Sequence, residues 1–286
     1  MGALFRKIIY SSLLVSSATL TNFPINALHP EMAPKIVSNQ VKVRQNNQAT
    51  PLQFPVNNSL ELAQNNKVWK IIPLGDSLTE GGNLNEHQSY RGHLYNILRQ
   101  GGFQVDFIGP RNKATVAGGA NADGDHAGFG GYSIGPDASK FCDTCPNSNI
   151  IENLDAILRE QADVILVMIG INDVLAPPTR PIRREDAPAK LENLIQQIRQ
   201  RQPNAKILVA SLAKIGFEPE KRQVYDDVNK KARDLGERDS NDNVFFVDIN
   251  QVPLEADDFT DRLHFTNSGA YKIADHWYKA LVNILK

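Results

Sequence analysis

From Val68 onward the chain alternates short apolar runs with amphipathic stretches, and this alternation restricts the folds open to it. Five runs of strand length are bounded by turn residues: Val68–Leu74, Val105–Ile108, Val164–Ile169, Lys206–Ser211 and Val244–Asp248. Their apolar residues are mostly consecutive, as expected of strands covered on both faces. Helical spacing lies between and after them, in Tyr90, Leu94, Ile97 and Leu98 before Gly101-Gly102, in Ile151, Leu154 and Leu158, and in Leu191, Leu194, Ile195 and Ile198. Val224, Val228, Ala232 and Leu235 form a fourth stripe, and Ala270, Ile273, Trp277 and Leu281 the last. Strand and helix in turn predict a five-stranded parallel sheet with helices on both faces.

Such a sheet places ligands at the carboxyl ends of its strands, and the chemically capable residues stand there. Ser77 follows the first run in Gly75-Asp76-Ser77-Leu78, and Gly130-Gly131 lies in the long connection after the second. Asn172 follows the third in Gly170-Ile171-Asn172-Asp173, and Asp261-Arg262-Leu263-His264 follows the fifth. A serine hydroxyl is a weak nucleophile until a base takes its proton and a third group orients the base. Ser77, His264 and Asp261 are of the types for those roles. The amides of Ser77 and Gly131 and the side-chain nitrogen of Asn172 are three donors suited to a developing oxyanion. Each residue also has a plainer use. Ser77 and Asn172 suit helix caps, Gly130-Gly131 a turn, and Asp261-Arg262 a surface ion pair. Asp173 suits fixing the loop beside Asn172. Five such coincidences in order favour a site.

These blocks, with the glycine of His126-Ala127-Gly128-Phe129-Gly130-Gly131-Tyr132, resemble those of the SGNH hydrolases, also called GDSL esterases. The resemblance spans about residues 67–285. It implies a flavodoxin-like three-layer α/β/α sandwich and ester hydrolysis through an acyl-enzyme without a cofactor. It assigns Ser77, Asp261 and His264 to catalysis, and Ser77, Gly131 and Asn172 to the oxyanion hole. Ser89-Tyr90-Arg91 and the run around Gly128 look most similar to acetyl xylan esterases of carbohydrate esterase family three. Arg91 is accordingly a candidate substrate contact, as is His126, which could line the pocket beside the oxyanion glycine or merely bond within its loop. The chain departs from that branch at Ala127, Gly130 and Phe265, and in an insertion over 141–149.

Residues 1–27 have a different character. Arg6 and Lys7 precede the apolar Ile8-Ile9-Tyr10 and Leu13-Leu14-Val15, and Ala27 is a small residue at which a leader could end. This pattern reads as a secretory signal peptide, too short and too serine-rich for a good membrane span. Residues 28–66 are rich in Asn, Gln and Pro and lack sustained periodicity, as in a tether or an extended arm. The catalytic domain is then 67–286. Cys142 and Cys145 are the chain's two cysteines. A redox pair, half of a zinc site and a local disulfide compete for them. In an exported chain with loop residues around them, the disulfide fits best.

The chain has 31 basic and 32 acidic residues, and no basic stripe points to nucleic acid or an anionic membrane. No metal-ligand cluster is visible. The expected partner is a small-molecule or polysaccharide ester, met after export to the periplasm or beyond. A lysophospholipase or thioesterase would need an apolar acyl channel, whereas the connection from Ala114 to Asp125 is polar. A non-catalytic carbohydrate-binding protein is the reading from another class. Loss of Ser77, Asp261 or His264 would mark it, and all three are present.

Overall fold

The computed structural model describes residues 67–81, 89–113, 122–136, 148–176, 184–216, 219–238 and 243–286. The leader, the arm and both cysteines lie outside the described residues, which all belong to the unit Leu60–Lys286. Strand β1 (Val68–Gly75) runs into a one-turn helix α1 (Ser77–Glu80), followed by α2 (Arg91–Gln100) and β2 (Gln104–Phe107). Two short strands come next, β3 (Arg111–Asn112) and β4 (Asp125–Gly128), then the single turn α3 (Leu154–Ile157), β5 (Val164–Met168) and α4 (Ile171–Leu175). The remainder alternates as α5 (Ala187–Arg201), β6 (Lys206–Ala210), α6 (Pro219–Gly236), β7 (Val244–Val247) and α7 (Asn267–Leu281).

Five of these strands form the parallel sheet that the apolar runs predict, in the order β2-β1-β5-β6-β7. Residues 164–168 and 207–210 are buried on every position, which explains why these segments read as continuous apolar runs. The chain moves from β1 outward to β2, then returns across β1 and proceeds the other way through β5, β6 and β7. Right-handed crossovers in opposite directions put their helices on opposite faces. In keeping with this, α2 packs with α7, and α5 packs with α6. The reversal point lies between β1 and β5, where a crevice opens at the strand ends.

Two features differ from the expectation. Strands β3 and β4 join the sheet, with β4 parallel to β1 and antiparallel to β3. The reason lies in strand length. β2 pairs with β1 only from Val68 to Ile71, which leaves the carboxyl end of β1 open on that edge. Leu74 and Gly75 are buried there, and their backbone groups need partners. Ala127 and Gly128 of β4 supply them. The second difference is the stripe Ile151, Leu154 and Leu158, which forms a short 3₁₀ segment (Ile151–Asn153) and α3 instead of a full helix. Exposed Arg159, Glu160 and Gln161 follow it and carry no apolar stripe onward. Among the described residues, no helix is long and apolar enough to cross a membrane.

The turn from β1 into α1 is tight. A Cβ on Gly75 would lie 2.3 Å from both the Met168 carbonyl oxygen and Thr79 Oγ1, so no larger residue fits. Asp76 caps α1 by accepting the Leu78 N–H at 3.0 Å. Its side chain is buried, and burial pushes its carboxyl from 3.8 up to about 7. The Leu78 bond opposes that rise, while the charge of buried Asp173 adds to it. Because the folded value exceeds the unfolded one, the folded state holds the extra proton. This contribution to stability is full below about pH 3.8, fades as pH rises, and is gone above about 7. Its size is on the order of 3–4 kcal/mol. Asp76→Asn keeps an acceptor for Leu78 and has no charge to bury. Chemical denaturation is expected to show the variant close to the parent at pH 4.5 and more stable by roughly 2 kcal/mol or more at pH 8. An equal difference at both pH values would contradict the burial account.

Candidate active site

The residues singled out at the strand ends meet beside the β1–β5 reversal point. Ser77 is the first residue of α1, held there by the Asp76 cap. Its Oγ lies 2.9 Å from His264 Nε2. His264 Nδ1 lies 2.7 Å from Asp261 Oδ2. An ionised carboxylate only accepts, so Nδ1 carries a proton and Nε2 of the neutral ring is free to accept from the Ser77 hydroxyl.

Local geometry fixes the acid and the base together. Phe259 and Phe265 form an antiparallel bridge, and Thr260 N–H donates to the His264 carbonyl at 2.8 Å. Between them Arg262 takes a φ of 72°, an uncommon conformation outside glycine, to close the turn. Asp261 Oδ1 accepts the Leu263 and His264 amides at 3.1 and 2.8 Å, leaving Oδ2 for the ring. Burial alone would raise the Asp261 carboxyl. The bonds from the His264 backbone and ring, joined by the Leu263 amide, outweigh it and hold the group below its ordinary range.

The candidate oxyanion donors come together around a turn that leaves β4. Tyr132 N–H donates to the Phe129 carbonyl at 3.2 Å, closing Phe129-Gly130-Gly131-Tyr132. Gly131 has a φ of 77°, the value required at the third position of a type II turn. The closing bond uses the Tyr132 amide, so the Gly131 amide is not consumed by it. Asn172 is buried at the start of α4, and its Nδ2 donates to the Tyr132 carbonyl at 2.9 Å. An amide nitrogen has two hydrogens, and this bond takes one. The turn also abuts the serine: a Cβ on Gly130 would stand 3.9 Å from Ser77 Cβ. Asp173 lies beneath, fully buried, with Oδ2 accepting the Ile134 amide at 3.0 Å. It steadies the loop, as its place beside Asn172 suggests.

The structure corrects the two candidate substrate contacts. Arg91 is 0% exposed. Its guanidinium donates to the carbonyls of Thr79, Glu80, Lys113 and Gly124, which binds the end of α1 to both ends of the β3–β4 connection. It is a fastener of backbone and does not face a ligand. His126 is likewise 0% exposed, on β4. Its Nδ1 accepts the Gly128 amide at 3.0 Å, so it serves the backbone. Burial, then the nearby charges of Arg91, Arg111 and Lys113, push its imidazole down to about 2, and it stays neutral.

Glu80 was not among the residues singled out from sequence. Its Oε2 accepts the Gly130 amide at 2.6 Å, and its Oε1 pairs with Arg111 at 2.7 Å. The available signal was spacing, since Glu80 stands three residues after Ser77 on one helical turn. Beside Asp261 an open groove of about 880 Å³ continues the crevice, walled by Leu175, Ile215, Leu254 and Phe259 and rimmed by Lys214 and Arg262. Among the described residues, no group of three or more His, Cys, Asp or Glu could hold a metal.

The fold is similar to that of several solved esterase structures. A family 3 carbohydrate esterase from Clostridium thermocellum is 29% identical, with a TM-score of 0.61 over 77% of this chain and 98% of its own. An acetyl esterase mutant with acetate ion (19% identity, TM-score 0.56, 77% and 98% covered) has the same fold. So has a family 3 carbohydrate esterase from Talaromyces cellulolyticus (18%, 0.53, 77% and 98%). No curated protein matches the sequence significantly. The family model described as GDSL-like Lipase/Acylhydrolase family matches residues 74–272. With that match over most of the chain and a serine–histidine pair at the strand ends it covers, the chain belongs to the GDSL-like lipase/acylhydrolase family and is a carboxylic ester hydrolase.

Proposed function

We propose that the protein removes short acyl groups, acetyl foremost, from a carbohydrate or similar polyol through an acyl-enzyme on Ser77. The observation that carries the chemistry is the continuous path from Asp261 Oδ2 through His264 to Ser77 Oγ, at 2.7 and 2.9 Å. Ser77 Oγ attacks the ester carbonyl while His264 Nε2 takes its proton. The carbonyl oxygen becomes an oxyanion, received by the amides of Ser77 and Gly131 and the second hydrogen of Asn172 Nδ2. His264 then gives its proton to the departing alcohol. In the second half His264 takes a proton from water as the water oxygen attacks acyl-Ser77; the tetrahedral intermediate then collapses, the bond to Ser77 breaks, His264 returns the proton to Ser77 Oγ, and the acid leaves. Asp261 keeps the imidazole in the required tautomer and stabilises it when charged.

The acetyl assignment draws on the likeness to family 3 carbohydrate esterases and to an acetyl esterase. The charged and apolar pattern of residues 6–15 supports export, where polysaccharide esters are met.

Three tests follow. Ser77→Ala is expected to abolish ester hydrolysis with little change in melting temperature. A serine-directed phosphonate is expected to add once, at Ser77. Labelling at another serine, with activity kept in the variant, would overturn the assignment. Asn172→Ala is expected to slow acylation by roughly a hundredfold or more while substrate affinity changes less, because its bond strengthens as charge develops. Normal turnover with only a raised KM would make Asn172 a uniform substrate contact instead. Across acetyl, butyryl, octanoyl and palmitoyl esters below their micellar limits, the rate is expected to be highest for acetyl, with acetate released from acetylated xylan. Steric exclusion at a short pocket outweighs the roughly 0.8 kcal/mol that each buried methylene contributes. Rates climbing steadily to palmitoyl, with no acetate from any carbohydrate, would replace this reading with a lipid one.

A further inference from the structure

We propose that Glu80 is a positioning residue that sets the direction of the Gly131 amide, with Arg111 as its counter-ion. The inference rests on reading Ser77, Gly131 and Asn172 as the reacting set.

Each oxygen of the Glu80 carboxylate has its own donor. Oε2 takes the Gly130 N–H at 2.6 Å, and Oε1 takes the Arg111 guanidinium at 2.7 Å. The same guanidinium lies 5.3 Å from the centre of the Phe129 ring, and Phe129 stacks on Tyr132 at 4.9 Å with the planes 22° apart. Both ends of the turn are therefore tied down. The peptide between Phe129 and Gly130 is held by Glu80, and the Tyr132 carbonyl is held by Asn172. The peptide between Gly130 and Gly131, which carries the proposed oxyanion donor, hangs between these two anchors. Two successive glycines have the widest backbone freedom of any pair, so without an anchor this peptide would sample other orientations. A donor that points elsewhere for part of the time stabilises the transition state less.

Stability is a weaker explanation for the arrangement. Arg111 is 41% exposed, and ion pairs with an exposed partner contribute little to folding. Glu80 is only 17% exposed and stands on the same helical turn as Ser77. Nucleophile and anchor thus share one rigid element, and the oxyanion turn is referenced to the serine it serves. The charge-assisted bond to a backbone amide is the stronger type, and its strength is directed at orientation.

The test compares Glu80→Ala, Glu80→Gln and the parent on an acetyl ester. Glu80→Ala is expected to lower kcat roughly tenfold to a hundredfold, with KM within about twofold and the melting temperature nearly unchanged. Glu80→Gln keeps an oxygen acceptor for Gly130 but loses the charge, and is expected to fall between the two. Amide hydrogen exchange at Gly130 is expected to quicken by roughly tenfold in Glu80→Ala and less in Glu80→Gln. Adding Asn172→Ala to Glu80→Ala is expected to cost less than the product of the single effects, since both act on one turn. Unchanged exchange at Gly130, a change in KM alone, or a Gln variant as impaired as Ala would overturn the proposal. If the parent hydrolyses no ester, or Ser77→Ala stays active, it is the reading of the reacting set that fails; Gly130 exchange still decides the tether.

Discussion

The need to pair the carboxyl end of β1 on both edges organises the rest of the structure. β1 is eight residues long and buried over its second half, while β2 reaches only its first four positions. On the other edge β5 pairs from Ile71 to Gly75. On the open edge, buried amides and carbonyls would be left without partners, and such groups are costly. β4 fills the gap by pairing at Leu74 and Gly75. Once β4 lies there, the residues that follow it must leave the sheet beside the end of β1, where Ser77 stands. The turn 129–132 reaches the serine because a strand edge had to be completed.

Four carboxylates then do related work, and two of them have opposite electrostatic outcomes. Asp76, Glu80, Asp173 and Asp261 each accept at least one backbone amide. The contrast between Asp76 and Asp261 shows which effect wins in each place. At Asp261 burial is the largest single influence, but two amides and the imidazole act together against it and outweigh it. Asp76 is 1% exposed, and desolvation outweighs its backbone bonds, so its carboxyl is pushed up to about 7. The role proposed for Asp261, orienting His264, requires it to remain charged, and its amide bonds favour that. The acid that caps α1 needs only an oxygen acceptor, which either protonation state provides.

Much of the sheet was legible in sequence because parallel strands buried on both faces leave continuous apolar runs, and Gly75, Gly109 and Gly170 mark the ends of the first three. β4 left no such mark. Asp125-His126-Ala127-Gly128 contains no β-branched residue, and its extended form comes from pairing with β1. The residues that meet at the site could be named because several strands end on one edge, whatever their separation in sequence. Arg91 and His126 misled for a common reason. A charged or titratable residue near a glycine-rich block suggests a surface that meets a ligand. Here the same loops carry many backbone carbonyls and amides that need partners indoors, and these two side chains satisfy them. Residue type shows that a group can donate or accept, but which partner it meets depends on the paths of loops that carry no periodicity.

The position of Glu80 follows from the same logic carried one step further. α1 is a single turn, too short to be stable by itself, and it persists because Asp76 caps it and Arg91 holds the Thr79 and Glu80 carbonyls at its end. Residues three apart on such a turn move as one body. When α1 shifts, Ser77 and the carboxylate gripping Gly130 shift with it. The separation between nucleophile and turn is therefore less sensitive to motion of either loop than it would be if each were anchored to the sheet independently. Arg91, a candidate substrate contact from sequence, instead fastens the far end of α1 and so holds Ser77 and Glu80 in register with each other.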